Sequence, residues 1–280
     1  MMKLLAFGGD ERMTGAVAAA RRAGWNAVHV RDREDAADLP AQADAALLPW
    51  PVSFRDGMLA GGSMTKEEAL ALLPPCTAVL YGAGVSAQEL TSAQRAVNPS
   101  HDEGFLQANA QLTAEGAVFR AMQRQGCALL GSTCVVTGFG RIGRALTQRL
   151  TALGAFVIVC ARSEAQMQLA HDMDAHPMPL SKIAAAVAQA DVIFNTVPAR
   201  VLGEEALHAA GADTLVIELA SAPYGLDMEL AARLGVMVAL ESSLPGRYAP
   251  NEAGAALFEV AQRTVHAHAA DAAEGGEADD

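Results

Sequence analysis

The glycines at 138, 140 and 143 have the spacing at which a backbone turn can hold a pyrophosphate. They lie in Gly138-Phe139-Gly140-Arg141-Ile142-Gly143, after the apolar run Thr133–Thr137 and before the helix-forming segment Arg144–Leu150. In such a strand–turn–helix the first glycine permits the bend, the second lets the backbone approach phosphate, and the third lets the helix pack against the strand. The phosphates then rest on free N–H groups at a helix N-terminus. Taken alone, a glycine-rich turn is an ordinary structural feature. A second apolar run, Ala155–Cys160, makes this one the start of a dinucleotide-binding unit. Phe139, Arg141 and Ile142 belong to the same cofactor-binding turn, and Arg141 can also reach a substrate carboxylate.

The end of the second run bears on which dinucleotide is bound. An acid about 20 residues beyond the glycines binds the ribose 2′-hydroxyl of NAD, whereas Arg accommodates the 2′-phosphate of NADP. Here the residues are Cys160-Ala161-Arg162-Ser163, with no carboxylate before Glu164. Arg162 offers a charge-assisted fork and Ser163 a hydroxyl, so the sequence favours NADP. In the alternative, Arg162 is a solvated loop residue and Glu164 takes the ribose. Further on, Asn195-Thr196-Val197-Pro198 ends a strand near the ribose–nicotinamide half and joins the cofactor-binding residues, although Pro198 also reads as a simple strand stop.

Other chemistries have little support. The formal charge of −12, part of it in the acidic last ten residues, argues against a nucleic-acid surface. Seven scattered histidines give no metal-ligand spacing, so no metal site is expected. Cys76, Cys127, Cys134 and Cys160 include no C-x-x-C pair and read as reduced core residues. No apolar stretch reaches membrane-spanning length, and Met1–Phe7 runs into Gly8-Gly9-Asp10 too soon for a signal peptide, so a cytoplasmic protein is expected.

Alternating strands and helices predict an α/β protein of two doubly wound parallel-sheet domains with a cleft between them. Residues 1–125 form the first, a flavodoxin-like substrate domain with strands at Lys3–Gly8, Trp25–Val30, Asp44–Leu48 and Thr77–Gly82 and a glycine-containing loop, Asp56–Thr65, able to cover a site. Residues 126–250 form a Rossmann NADP-binding domain, with later strands at Asp191–Thr196, Thr214–Leu219 and Val236–Leu240. A helix over 251–268 is expected to rejoin the first domain, and 269–280 reads as a disordered acidic tail. The long helix over Phe105–Arg124 presents Ala108, Leu112 and Phe119 at helical spacing, either as interdomain core or as a homodimer surface.

The motifs carry a resemblance. Gly8-Gly9-Asp10-Glu11-Arg12, Leu48-Pro49 through Val52-Ser53, Thr113-Ala114-Glu115-Gly116, the glycine fingerprint, Ala161-Arg162-Ser163, Asn195–Pro198, Leu219-Ala220-Ser221, and Leu244-Pro245-Gly246 followed by Ala249-Pro250 and Ala253-Gly254 occur in colinear order over residues 3–265. Together they resemble the A-subunit family of dipicolinate synthase, and Ala220 accordingly joins the cofactor-binding residues. The resemblance implies NADP-dependent formation of pyridine-2,6-dicarboxylate from a dihydro or hydroxytetrahydro precursor of the lysine pathway, during sporulation. The partner it implies is a flavoprotein-like B subunit.

Aromatising such a ring removes a hydride and a proton, and its two carboxylates call for cations. The turn Gly8–Arg12 offers N–H groups and Arg12, which either binds a substrate carboxylate or pairs with a neighbouring acid. Ser53 and Ser86 are further substrate-binding candidates, though Ser after a glycine turn is also a common helix cap. Arg247 has a similar reach from the second linker. For the base, Glu115 and Asp10 are the acids nearest the inferred cleft. Two other readings compete: a dehydrogenase of 2-hydroxy acids, disfavoured because Glu241–Gly246 supplies no catalytic His, and a non-catalytic NADP-binding regulatory subunit.

Overall fold

The computed structural model describes residues 1–276, apart from Asp38 and Cys127. The chain divides into two compact units, Met1–Asn109 together with the segment from Pro245 onward, and Ala110–Leu244.

The first unit opens with strand β1 (Lys3–Phe7), helix α1 (Glu11–Arg22), and strands β2 (Asn26–Val30) and β3 (Ala43–Leu47). The glycine-containing loop then holds a short hairpin, β4 (Phe54–Arg55) and β5 (Met58–Leu59), before α2 (Lys66–Ala71), β6 (Cys76–Leu80) and β7 (Ala93–Val97). Five strands form a parallel sheet in the order β2-β1-β3-β6-β7. Counted within the unit this is the 2-1-3-4-5 order of flavodoxin-like folds, whose ligands bind where the winding reverses, between the first and third strands. The strands are apolar on both faces, as a sheet covered on both sides requires. Leu4, Ala6, Ala45 and Leu47 pack toward one layer and Leu5, Phe7, Ala46 and Val79 toward the other.

Helix α3 (Glu103–Gln125) carries the chain into the second unit, so the division falls within this helix. There β8 (Thr133–Thr137), α4 (Arg141–Ala152), β9 (Phe156–Ala161), α5 (Glu164–His171), β10 (His176–Pro179), α6 (Ile183–Val187), β11 (Val192–Asn195), α7 (Glu204–Ala209), β12 (Leu215–Glu218), α8 (Met228–Leu234) and β13 (Met237–Leu240) follow. The sheet is parallel throughout, in the order β10-β9-β8-β11-β12-β13. Counted from β8 this is 3-2-1-4-5-6, the order of dinucleotide-binding folds. The strands expected from apolar runs are all present; the edge strands β7 and β10 are additional.

Helices α9 (Leu244–Tyr248) and α10 (Pro250–Gly276) return the chain to the first unit, where Leu257, Phe258, Val260 and Ala261 join the core beside α1. The segment expected as a disordered tail from residue 269 is instead helical through Gly276, in keeping with its alanine content; 277–280 lie outside the described residues. No helix among the described residues is long and apolar enough to cross a membrane. Cys76, Cys134 and Cys160 are buried free thiols, and burial pushes Cys76 and Cys160 up to a pKa of about 12. Cys127 lies outside the described residues.

Backbone-to-backbone packing of α1 on α10 centres on Gly254, where a side-chain carbon would overlap the Arg12 carbonyl oxygen and the Ala16 nitrogen. Neither atom can move without displacing α1. Gly254→Ala should therefore destabilise the protein by about 1–3 kcal/mol, read from the urea midpoint; an unchanged midpoint would contradict this packing.

Candidate functional site

The winding of the second sheet reverses between β8 and β11, and the glycine fingerprint sits there. Gly138 follows β8 with φ +81°, in the left-handed region, and donates its N–H to the Cys160 carbonyl at 2.8 Å. A side-chain carbon on it would lie 2.7 Å from Val197 Cγ2, and one on Gly143 would overlap the Gly138 carbonyl oxygen. Gly140, by contrast, faces open space and caps α4 with no side-chain bond to its first N–H groups. The bend at Gly138 and the close helix approach at Gly143 are those expected of the first and third glycines. The first turn of α4 holds no acid and begins with the exposed Arg141, so the helix end is suited to an anion. Phe139 is buried in the core and supplies only backbone to the turn, while Ile142 packs against the same core.

A cavity of about 240 Å³ opens over this turn, lined by Gly138, Phe139, Gly140, Arg162, Thr196, Val197 and Pro198, with Cys160, Ala161, Gln166 and Leu180 completing its wall. The sequence had singled out most of these residues but not Gln166 or Leu180. Arg162 is exposed at the end of β9. Ser163 is the N-cap of α5, its Oγ accepting from the Gln166 N–H at 3.2 Å, which leaves its O–H as a donor. Glu164, the acid of the alternative reading, is in the first turn of α5 and does not line the cavity.

Beneath the loops lies a buried polar knot that sequence reasoning missed. Glu218, the last residue of β12, has no exposed surface. Its Oε1 accepts from Asn195 Nδ2 at 2.7 Å and the Ala220 N–H at 2.9 Å, and its Oε2 accepts from the Gly225 N–H at 2.9 Å. Asn195 also donates to the Val197 carbonyl at 3.1 Å and accepts from Thr137 Oγ1. Asn195, expected among the cofactor-binding residues, therefore has its amide turned inward and braces the loop; Thr196, Val197 and Pro198 are the members that face the cavity. Ala220 follows β12, its N–H committed to Glu218. The available signal was a single acid ending the apolar run Leu215-Val216-Ile217. A second buried acid, Glu241 after β13, accepts from Arg120 Nε at 2.6 Å.

In the first unit the structure revises several expectations. The turn Gly8–Arg12 does follow β1 at the reversal of that sheet, but the N–H groups of Gly8, Gly9 and Arg12 are already taken. Gly8 donates to the Val30 carbonyl and Gly9 to the Ala60 carbonyl, while Asp10 caps α1 by accepting from the Arg12 N–H at 3.1 Å. Arg12 grips the same carboxylate, Nε to Oδ1 at 2.8 Å and Nη2 to Oδ2 at 2.7 Å, so of its two readings the acid pair is the one formed. Gly246 of α9 lies against the pair, where a side-chain carbon would be 2.9 Å from Arg12 Nε. Ser53, expected to hydrogen-bond a substrate, is fully buried; its Oγ donates to the Pro49 carbonyl and accepts from the Gly82 N–H, tying two loops together. Ser86 Oγ donates to Glu89 Oε2 at 2.9 Å. Arg247 is exposed and donates to the Tyr248 hydroxyl. Of the two acids considered as bases, Asp10 is paired with Arg12, and Glu115, in the second unit, accepts from Arg149 Nη2 at 2.8 Å.

Comparisons with known proteins follow the same lines. Residues 101–224, under half of the chain, match the family model of the D-isomer specific 2-hydroxyacid dehydrogenase NAD binding domain, a match that supports a nicotinamide dinucleotide as the cofactor. A curated relative, the dipicolinate synthase A subunit of Bacillus subtilis (strain 168), is 33% identical over 153 residues. The chain resembles the A subunit of dipicolinate synthase. The aligned stretch is 55% of this chain and about half, 52%, of that relative. Solved structures extend the likeness over nearly the whole fold. The dipicolinate synthase A chain from Bacillus subtilis superposes with a TM-score of 0.80 at 25% identity, covering 96% of this chain and 97% of that one. The A subunit of the Bacillus halodurans synthase gives 0.78 at 26% identity, covering 94% and 97%.

The Asp10–Arg12 pair makes a pH prediction. Burial acts to raise the Asp10 pKa, but the hydrogen bonds and charge of Arg12 hold the carboxyl below its ordinary 3.8. A folded-state pKa below the unfolded one contributes stability above the unfolded value and loses it as pH falls through the folded value. Urea midpoints should thus show wild type more stable than Asp10→Asn near neutral pH, with the gap closing below pH 3.8. A gap independent of pH would contradict the ion pair.

Proposed function

We propose that this chain is an NADP-dependent oxidoreductase that forms pyridine-2,6-dicarboxylate from a dihydro or hydroxytetrahydro precursor of the lysine pathway, as the A component of a two-subunit synthase whose partner is flavoprotein-like. The observation that carries the cofactor choice is Arg162 in the wall of the cavity beside the fingerprint, with Glu164 outside it. An adenosine 2′-phosphate there would meet a guanidinium and the Ser163 hydroxyl instead of a carboxylate. The likeness to the dipicolinate synthase A subunit in sequence and in fold supports the substrate class.

When bound, the nicotinamide supplies the hydride acceptor. The protein's part is to hold the pyrophosphate on the first N–H groups of α4, to orient the cofactor between the β9 end and the β11 loop, and to offer Arg141 to the anionic groups of the ligand. From the dihydro precursor, loss of one hydride and one proton generates the aromatic ring, and a hydroxytetrahydro precursor first loses water to reach that dihydro level; the gain of aromaticity means that a strong base is not a requirement of the site. A second reading has an observation of its own. Asp10 and Glu115 are both committed to ion pairs, which fits a cofactor-binding subunit that depends on its partner for turnover.

Incubating the purified chain with the enzymatically generated precursor and NADP⁺ separates the two. Rising absorbance of pyridine-2,6-dicarboxylate with NADPH from the chain alone supports the first reading; activity only after the partner is added supports the second; none in either case contradicts both. In cofactor titrations Arg162→Ala should weaken NADPH binding by about 1.5–3 kcal/mol and leave NADH nearly unchanged. An equal loss for both cofactors would show that Arg162 does not read the 2′-phosphate.

A further inference from the structure

We propose that Glu218 is a positioning residue for the nicotinamide half of the dinucleotide, acting through the loops Thr196–Pro198 and Ala220–Gly225. This role rests on the cofactor reading given under Proposed function and adds to it a residue that touches no ligand. The sheet order carries the assignment to that half of the molecule. With the pyrophosphate at the β8–α4 turn and the adenosine 2′-phosphate at Arg162 after β9, the rest of the dinucleotide must extend to the other side of β8, over the ends of β11 and β12. Those two ends, and the last residue of β8, are what the Glu218 knot joins.

The links of Glu218, and those of the Asn195 amide to Val197, run from 2.7 to 3.3 Å, and the bonds from Thr137 Oγ1 to Asn195, from Asn195 Nδ2 to Glu218 and from the Gly225 N–H to Glu218 are buried. Through Asn195 the carboxylate fixes Val197, whose carbonyl accepts from Nδ2 at 3.1 Å and whose N–H donates to Oδ1 at 3.3 Å. Directly, it accepts from the Ala220 and Gly225 N–H groups at 2.9 Å each and so anchors both ends of the loop between them. Thr137, adjacent to Gly138, donates to Asn195 Oδ1, and Thr196 Oγ1 donates to the Thr137 carbonyl at 2.7 Å. Gly225 comes so close to Asn195 that a side-chain carbon would overlap the amide. Stability alone is a poor reason for this arrangement. Among the described residues no cation pairs with Glu218, burial raises its pKa against the opposing hydrogen bonds, and a carboxylate desolvated without a counter-charge is costly where an apolar side chain would not be. What the carboxylate provides is two acceptor atoms that hold three donors from separate segments in one geometry.

The test compares two ligands on three proteins: NADPH, and adenosine 2′,5′-bisphosphate, which carries only the adenine half, titrated into wild type, Glu218→Gln and Asn195→Asp. Glu218→Gln keeps the shape but replaces one acceptor with a donor; Asn195→Asp removes the donor that faces Glu218. The expected result is that both variants, folded by circular dichroism, bind NADPH about tenfold more weakly and the bisphosphate as wild type does. A purely structural role would weaken the two ligands by the same factor. That result overturns the proposal, as does unchanged NADPH binding in a folded variant, or unfolding of both variants, which would make the knot a determinant of the fold alone. Wild-type protein that binds neither ligand would instead overturn the cofactor reading itself.

Discussion

The close approach of two backbones, at Gly138 and Gly143, is the constraint on which the second unit depends. Because residue 143 has no side chain, α4 can begin directly over the carbonyl of Gly138, and its axis then points its first N–H groups into the space beside Gly140. Move the helix outward by the width of a methyl group and those N–H groups would no longer meet at the end of β8. The reversal of strand order between β8 and β11 supplies the opening above them. Sheet topology provides the crevice, glycine spacing provides the anion end, and Arg162 and Thr196–Pro198 close its sides.

The first unit uses a similar reversal differently. In its Gly8–Arg12 turn the N–H groups of Gly8 and Gly9 go to neighbouring carbonyls and that of Arg12 to Asp10, whose carboxylate also pairs with the Arg12 guanidinium. Two segments of the resemblance, Gly8–Arg12 and Leu244–Gly254, prove to pack against each other: Gly246 on the Asp10–Arg12 pair and Gly254 on the Arg12 backbone. Large side chains at 246 and 254 would push α9 and α10 off α1.

What could be read from the sequence was what is local. Parallel strands covered on both faces are continuous apolar runs, and β1, β8, β9, β11 and β12 announce themselves that way. Edge strands do not need such runs: β10 is His176-Pro177-Met178-Pro179, and β7 mixes Arg95 with alanines, so neither stood out. The fingerprint and Arg162 were legible because their roles follow from neighbours in sequence. Ser53, Asn195 and Glu218 were not. Ser53 meets Gly82, 29 residues away, and Asn195 meets Glu218, 23 residues away, so whether each side chain faces a ligand or a buried partner depends on how distant loops come together. Helix α10 outran its expected end for the opposite reason: charge pattern pointed to a solvated tail, while alanine propensity carried the helix on.

The central claim is that one dinucleotide lies over the β8–α4 turn with its 2′-phosphate toward β9. A crystal structure of the protein with NADPH tests it most directly. The predicted result is pyrophosphate oxygens within hydrogen-bond distance of the backbone N–H groups at Phe139–Ile142 and the 2′-phosphate against Arg162 and Ser163. A dinucleotide bound away from that turn, or bound there with its 2′-phosphate in solvent and Arg162 untouched, would contradict it.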